Sequence, residues 1–272
     1  MDIPLGKQTT YPDHYDSGLL FPVPRSANRE PIGITASLPF YGYDHWRAYE
    51  LSWLDSHGMP QAAMADILVP CTSANLVESK SMKLYFNSLN QHRFESREAL
   101  CDCIRRDLSA VAGADVEIRL LDLRDPQHVL TLATEGAVLL DKIQVTDPVF
   151  EIDAGLLSIA SNTVVNKVYV SDLFRSNCPV TSQPDWGTVV IHYQGCEPDP
   201  ASLLRYILSY RKHEGFHEHC VEHIFVDLMA ALKPVALKVN INFTRRGGLE
   251  INPVRSSSPL VEMQALARFV RQ

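Results

Sequence analysis

The chain has 272 residues, 46% of them hydrophobic and 21% charged, which is ordinary for a globular protein of one large or two medium domains. A formal net charge of -7 disfavours a broad nucleic-acid surface, so we expect a small-molecule partner and no direct nucleic acid. The six cysteines lack CxxC spacing and no apolar run could form a signal peptide or membrane span, so we expect reduced thiols, no membrane segment and a cytoplasmic location.

The first half of the chain begins with a Pro-, Tyr- and Gly-rich region, residues 1–45, that is typical of irregular structure. Residues 46–57 are interpreted as a short helix, and residues 66–70 as a strand that ends at a proline. Partial alternation of apolar and polar residues over 76–87 predicts a long strand with one polar face.

A helix is predicted next, because Ser96 is a suitable N-cap and apolar residues recur at helical spacing until Gly113, a typical helix stop. Residues 116–121 are predicted to form a strand. The region 124–165 contains prolines and short apolar runs without a clear period.

The second half has a more regular order of elements. Residues 188–193 are predicted to form a strand, and Asp199 is a suitable cap for the helix that follows. A second helix is expected after Gly215, since apolar residues recur every three to four positions. Alternation over 235–244 predicts a strand, and residues 249–252 are expected to return as its hairpin partner.

This order of elements predicts an α+β protein rather than a doubly wound fold. Each half combines strands with one or two helices, which fits two related modules of antiparallel sheet with helices packed on one face. We place the modules at residues 1–150 and 151–272.

The segment RSNCPVTSQPDW at residues 175–186 contains the first candidate for chemistry. Cys178 precedes a proline, which favours an extended backbone, and Asp185 follows seven residues later. A thiol beside a carboxylic acid suits addition to an electrophilic carbon, with the acid supplying a proton. The alternative is a buried cysteine without chemical function.

The segment GFHEHCVEH contains a second candidate. His219 and His223 match the HxxEH pattern of some zinc proteases, so a zinc-dependent hydrolase is an alternative hypothesis. His217 and Glu218 lie at the expected start of the helix, where a carboxylate is favoured and side chains can face a ligand.

Two further segments carry charge. Glu78 and Lys80 lie in ESKSMK, whose polar side chains either share a site or form a solvated strand face. RRGG at 245–248 either clamps phosphate or forms a basic hairpin turn. No GxGxxG or Walker loop is present, so the residues alone do not indicate a dinucleotide.

The chain resembles the NADPH-dependent 7-cyano-7-deazaguanine reductases, the nitrile reductases of the queuosine pathway, in four segments. These are ESKSMKLY at 78–85, SNCPVTSQPDW at 176–186, FHEHC at 216–220 and RRGG at 245–248. The resemblance covers nearly the whole chain and is to the long form, which has two tandem tunnelling-fold modules.

The resemblance implies a role for each matched residue. Cys178 would form a covalent thioimidate with the nitrile, and Asp185 would protonate its nitrogen. The implied substrate-binding residues are Glu78, Ser79, Lys80, His217 and Glu218. The implied contacts to NADPH are Lys80, Ser81, Arg246 and Gly247, and no metal is implied.

The resemblance also implies that two NADPH molecules are consumed per turnover as co-substrates, because reduction of a nitrile to a primary amine takes two hydrides. The substrate would be a free nucleobase, and the protein would be a homodimer. A nitrilase-type thiol hydrolase and a non-catalytic purine or pterin binder remain as alternatives.

Overall fold

The computed structural model of the chain describes residues 14–123 and 136–260. Contacts between residues divide the chain into two compact units, which are described separately here. The first consists of Met1–Thr35, Tyr43–Val129 and Arg245–Ile251, and the second of Ala36–Gly42, Leu130–Thr244 and Asn252–Gln272. The predicted modules, 1–150 and 151–272, remain a proposal about which parts of the chain fold as domains.

The first unit combines an antiparallel sheet with two long helices. Its elements are β1 (Pro22–Pro24), α1 (Ser26–Arg29), β2 (Tyr41–Leu54), β3 (Pro60–Pro70), β4 (Asn75–Val77), α2 (Ser79–Leu89), α3 (Arg97–Ala112) and β5 (Glu117–Leu121). β3 pairs with β2 on one side and with β5 on the other, both antiparallel, and β1 pairs with β4.

The core of the first unit lies between this sheet and the two helices. From α2 it receives Met82, Tyr85, Phe86 and Leu89, whose spacing of three to four residues places them on one helix face. The predicted helix with Ser96 as its cap is confirmed as α3, since the Ser96 hydroxyl accepts the N–H of Ala99 and the helix ends at Gly113 in the left-handed conformation.

Two predictions in the first unit are wrong. Residues 46–57 are not a helix but lie largely in β2, where a bulge between Ala48 and Leu51 shifts the alternation and disguises the strand period. Residues 76–87 are not a long strand, because α2 begins at Ser79. Met82, Leu84 and Phe86 are all buried, and their spacing by two imitates a strand.

The second unit contains a larger sheet and two helices. Its elements are β6 (Val138–Leu139), β7 (Ile159–Asn177), β8 (Pro184–Pro198), α4 (Pro200–Ser209), α5 (His217–Leu232), β9 (Ala236–Phe243) and β10 (Leu249–Ser256), of which β10 enters this unit at Asn252. β7, β8, β9 and β10 pair in this order as antiparallel neighbours, and β6 pairs with β7 in parallel.

Most predictions for the second unit are confirmed, with one omission. Asp199 caps α4 by accepting the N–H groups of Ala201 and Ser202, and α5 ends at Lys233 in the left-handed conformation. β7 was not predicted, because the residues of its first half are largely exposed and their sequence shows no alternation.

The predicted α+β class is confirmed, with antiparallel strands and helices packed on the sheet. In the second unit α4 contacts β7 and α5 contacts β9, and the side chains between them are buried. Among the described residues, no helix has the length and apolar character needed to cross a membrane.

Candidate active site

Cys178 lies at the tip of the hairpin formed by β7 and β8. Its backbone N–H donates to the carbonyl of Gln183 at 2.9 Å, and its own carbonyl accepts the N–H of Ser182 at 2.9 Å. These two bonds close the six-residue loop between the strands, and Pro179 in the loop and Pro184 at the start of β8 limit the backbone further. The thiol is partly exposed, so it is held on a stiff loop that a ligand can reach.

Asp185 lies on the same hairpin as Cys178. The register of the two strands places Asp185 directly opposite Ser176, and Cys178 follows Ser176 by two residues, at the start of the loop. Asp185 is only 3% exposed. The thiol and the carboxyl group predicted to act together therefore lie at the same end of one hairpin, with the acid nearly removed from water.

His217 and Glu218 lie in the first turn of α5, and His217 is next to Asp185. The Nε2 atom of His217 lies 3.4 Å from Oδ2 of Asp185, and its ring is stacked on Phe243 at 3.7 Å between centroids. Within the described part of the chain, Nδ1 of His217 is buried and has no hydrogen-bond partner. Glu218 is 4% exposed, at a helix N-terminus that favours a carboxylate.

The segment before α5 is tied to the hairpin by three hydrogen bonds. The N–H of Asn177 donates to the carbonyl of His213 at 2.8 Å, and the N–H of Gly215 donates to the carbonyl of Asn177 at 3.0 Å. The Ser182 hydroxyl donates to Glu214 at 2.9 Å. The start of α5 and the Cys178 loop are therefore held in a defined relation, which the sequence alone did not predict.

Cys220 is a second thiol close to this site, on the buried side of α5. Burial, together with the charges of Asp185 and Glu218, raises its pKa to about 12. This thiol therefore stays protonated and is a poor nucleophile.

The zinc alternative depended on His219 and His223, whose rings are 5.8 Å apart and nearly parallel, with His213 beside them. Burial and the neighbouring imidazoles lower the pKa of His219 to about 4, so it is neutral near pH 7. Across residues 14–123 and 136–260, no three His, Cys, Asp or Glu side chains are arranged to hold a metal ion.

The predicted ESKSMK residues lie in the first unit, at the N-terminus of α2. The Glu78 carboxylate caps this helix by accepting the N–H groups of Lys80 at 2.9 Å and Ser81 at 2.7 Å. The Ser81 hydroxyl is fully buried and donates to the carbonyl of Glu78, whereas Ser79 and Lys80 are half-buried. That these residues contact the substrate and NADPH remains a prediction.

The predicted Arg246 and Gly247 also lie in the first unit, in the turn before β10. The N–H of Arg246 donates to the carbonyl of Leu249 at 2.9 Å, and Gly247 and Gly248 both have positive φ. The Arg245 guanidinium lies over the ring of Tyr49 at 4.6 Å. A cleft of about 600 Å³, which the sequence did not predict, is bordered by Gly247 and Gly248.

The structure thus brings together two sets of predicted residues, each within one unit. The second unit collects Cys178, Asp185, His217 and Glu218 around the hairpin and the start of α5. The first unit holds the predicted cofactor and substrate residues of α2 and of the turn before β10.

Comparison with known protein families gives two matches along the chain. A family model described as "Nitrile reductase, 7-cyano-7-deazaguanine-reductase N-term" matches residues 11–120, and one described as "QueF-like protein" matches residues 184–265. The two matches together cover more than half of the chain.

Comparison with individual proteins finds close relatives. A protein of Burkholderia orbicola is 52% identical over 257 residues and one of Burkholderia ambifaria is 51% identical over 255 residues, with 93% of each chain covered. Both are named NADPH-dependent 7-cyano-7-deazaguanine reductase. A crystal structure of the archaeosine synthase QueF-Like aligns with 35% of this chain and 94% of its own, at 23% identity and a TM-score of 0.31.

Proposed function

Because the chain belongs to the family of NADPH-dependent 7-cyano-7-deazaguanine reductases, we propose that it reduces the nitrile of 7-cyano-7-deazaguanine to an aminomethyl group through a covalent bond to Cys178. Membership of this family makes the chain an NADPH-dependent oxidoreductase. The proposal concerns the residues that carry the reaction and their roles.

The first step is addition of the Cys178 thiol to the nitrile. The sulfur forms a bond to the nitrile carbon while one π bond of the nitrile breaks, and the nitrogen takes a proton from Asp185. The product is a thioimidate, whose C=N bond is a better hydride acceptor than the nitrile. The proton released from the Cys178 thiol returns to Asp185. The net result is addition of S–H across one π bond of the nitrile.

Two hydride transfers complete the reduction. Hydride from the first NADPH reaches the thioimidate carbon and a proton reaches its nitrogen, after which the carbon–sulfur bond breaks to give an imine and a free Cys178. Hydride from the second NADPH and one more proton convert the imine into the primary amine. Each turnover therefore consumes one nitrile, two NADPH and two protons.

The observation that carries this proposal is the placement of Cys178 and Asp185 at the same end of one hairpin. The register places Asp185 opposite Ser176, two residues before Cys178, and only 3% of Asp185 is exposed. A proton donor in a nearly dry position suits this chemistry, since water would hydrolyse the imine.

Recognition of the base is assigned to the first turn of α5. The Glu218 carboxylate can accept two adjacent N–H groups of a guanine-like ring in a fork of charge-assisted hydrogen bonds. The Nδ1 atom of His217, buried and without a partner among the described residues, supplies one more polar contact. Glu78, Ser79 and Lys80 are proposed as further substrate contacts, and Lys80, Ser81, Arg246 and Gly247 as contacts to NADPH.

The proposal also covers the biosynthetic pathway, the cellular location and the oligomeric state of the protein. The substrate is a free base that is reduced before it enters transfer RNA in queuosine biosynthesis, so no nucleic-acid surface is needed, in agreement with the acidic composition. We propose a cytoplasmic homodimer of chains with two tandem modules, 1–150 and 151–272.

The decisive experiment is intact-mass measurement of the protein mixed with 7-cyano-7-deazaguanine in the absence of NADPH. A mass increase equal to one substrate is expected for the wild-type chain and is expected to be absent from Cys178→Ala. Cys101→Ala serves as the control for a cysteine outside the hairpin and is expected to keep the increase. An unmodified wild-type mass combined with full NADPH-dependent reduction would rule out the covalent route.

A further inference from the structure

Arg175 and Trp186 lie directly opposite each other in the hairpin that carries Cys178 and Asp185. In the register of β7 and β8, they are one step from the pair of Ser176 and Asp185. The guanidinium carbon of Arg175 lies over the ring of Trp186, 5.6 Å from its centroid. A cation is attracted to the face of an indole, and more strongly where water is excluded. This contact between the strands therefore stabilises the hairpin next to the proposed proton donor.

The same guanidinium reaches the residue before the proposed nucleophile. The Nη2 atom of Arg175 donates a hydrogen bond to Oδ1 of Asn177 at 3.1 Å. Asn177 immediately precedes Cys178 in the chain, and Trp186 immediately follows the proposed acid. One side chain therefore contacts the chain neighbour of each group that the proposed reaction uses.

A second cation connects Trp186 to the segment before α5. The guanidinium carbon of Arg211 is 5.5 Å from the centroid of the Trp186 ring. Two residues after Arg211, the carbonyl of His213 accepts the N–H of Asn177 at 2.8 Å. The contacts therefore form a closed ring, which runs from the indole through Arg175 and Asn177 to the segment before α5 and back to the indole. We call it the Arg175 ring.

Part of the Arg175 ring is held at a cost in free energy. Arg175 and Trp186 are both half-buried, and Nε of Arg175 is buried without a hydrogen-bond partner among the described residues. An unpaired buried donor destabilises a folded protein, so the contacts of the guanidinium with Trp186 and Asn177 must offset that cost. Removal of the guanidinium should therefore release the hairpin locally without leaving a buried charge behind.

We propose that Arg175 is a positioning residue, which fixes the Cys178 end of the hairpin relative to Asp185 and to the start of α5. The inference rests on the proposed function, which makes the thiol and the carboxyl group the reacting groups. Misplacement of a reacting group by about 1 Å can slow a reaction about 100-fold, so a side chain that acts on the neighbours of these groups can control the rate. A lysine would lose the planar fork that stacks on Trp186 while it donates to Asn177.

The test measures two properties of Arg175→Met, which keeps the apolar stem and removes the guanidinium. The first is amide hydrogen exchange of the full-length protein without ligand. The N–H groups of Asn177 and Gly215 are bonded across the ring, and we expect their exchange to accelerate about 2- to 30-fold when the cation is lost. The matched control is Lys212→Met, which removes an exposed cation whose Nζ lies 5.9 Å from the centroid of the Phe150 ring. It should leave the exchange of both groups unchanged.

The second property is the rate of adduct formation with 7-cyano-7-deazaguanine in the absence of NADPH. We expect this rate to fall roughly 10- to 100-fold in Arg175→Met, while the final mass increase stays at one substrate per chain. The Kd of the nitrile, measured by calorimetry in the Cys178→Ala background, should stay the same when Arg175→Met is added, because base recognition is assigned to α5. General unfolding would instead lower the final mass increase and raise this Kd.

Several results would overturn the inference. They are unchanged exchange in Arg175→Met, a wild-type adduct rate despite faster exchange, an equal loss of rate in Lys212→Met, and a Kd that rises as much as the rate falls. Full rescue by Arg175→Lys would also overturn it, since charge alone would then suffice. If the wild-type protein forms no adduct but Arg175→Met still accelerates exchange, the proposed function fails and the positioning of the hairpin by Arg175 stands.

Discussion

Nε2 of His217 lies 3.4 Å from Oδ2 of Asp185, and the imidazole that makes this approach is stacked flat on Phe243, with an angle of 2° between the rings. Asp185, the proposed proton donor, and the first residue of α5 are therefore neighbours, and an aromatic side chain of β9 holds the imidazole in place. In the proposed reaction, substrate recognition and proton delivery would meet at this pair.

Asp185→Asn should abolish most of the nitrile reduction while leaving the fold intact. The amide is isosteric with the carboxyl group but a poor acid, and general acid catalysis contributes about 10²–10⁴-fold to a rate. We expect kcat, measured by NADPH oxidation, to fall by roughly this factor. Glu151→Gln, at an exposed acid of the same unit, should leave kcat unchanged. A wild-type rate in Asp185→Asn would show that another group supplies the proton.

Glu218→Gln should mainly weaken binding of the base. The neutral amide replaces one of two charge-assisted acceptors with a donor, and a hydrogen bond to a charged group contributes about 1.5–3 kcal/mol. The KM for 7-cyano-7-deazaguanine should therefore rise by roughly 10- to 100-fold, with a smaller change in the KM for NADPH. Equal increases in both values would argue against a direct contact with the base.

Phe243→Leu should loosen the position of His217 without exposing the core. Ring stacking contributes about 0.5–1.5 kcal/mol beyond the burial of area, so we expect the KM for the nitrile to rise by roughly 2- to 12-fold. The matched control is Phe225→Leu, a buried phenylalanine of α5 that contacts Phe40 instead. Thermal unfolding of both variants separates general loss of packing from the specific loss at His217.

Asp199→Ala should lower stability without changing the chemistry. The Asp199 carboxylate accepts the N–H groups of Ala201 and Ser202 at 3.1 and 3.2 Å, and loss of such a cap costs about 1 kcal/mol. Urea unfolding should show this loss, whereas Asp199→Asn should restore most of it. Activity per folded molecule should remain at the wild-type value, and a change in KM would contradict a purely structural role.

Stability should fall as the pH is lowered from about 6.5 to about 4, in part because of His219. Burial lowers the pKa of this imidazole to about 4, while its value in the unfolded chain is near 6.5. In this window the unfolded state binds more protons than the folded state, so acid favours unfolding. His219→Gln should make the free energy of unfolding less dependent on pH in this range, and an unchanged slope would remove His219 as the cause.

Sequence patterns correctly predicted elements whose signals are local. Asp199 caps α4 and Ser96 caps α3 because a side-chain acceptor two or three residues before a free N–H needs no help from the rest of the chain. The amphipathic spacing of α5 is likewise a property of consecutive residues. Patterns failed where the signal was mixed: the bulge in β2 disturbed its alternation, and the buried residues of α2 fitted two periods at once.

The sequence by itself determined which residues are candidates for chemistry, since a thiol followed by a proline and four ordered motifs are properties of the chain alone. Only the tertiary structure decided how they are arranged. Asp185 lies opposite Ser176, two residues before Cys178, because of the register between β7 and β8, and His217 reaches Asp185 because hydrogen bonds tie the start of α5 to that hairpin. Register and docking depend on contacts between distant residues, which local patterns do not encode.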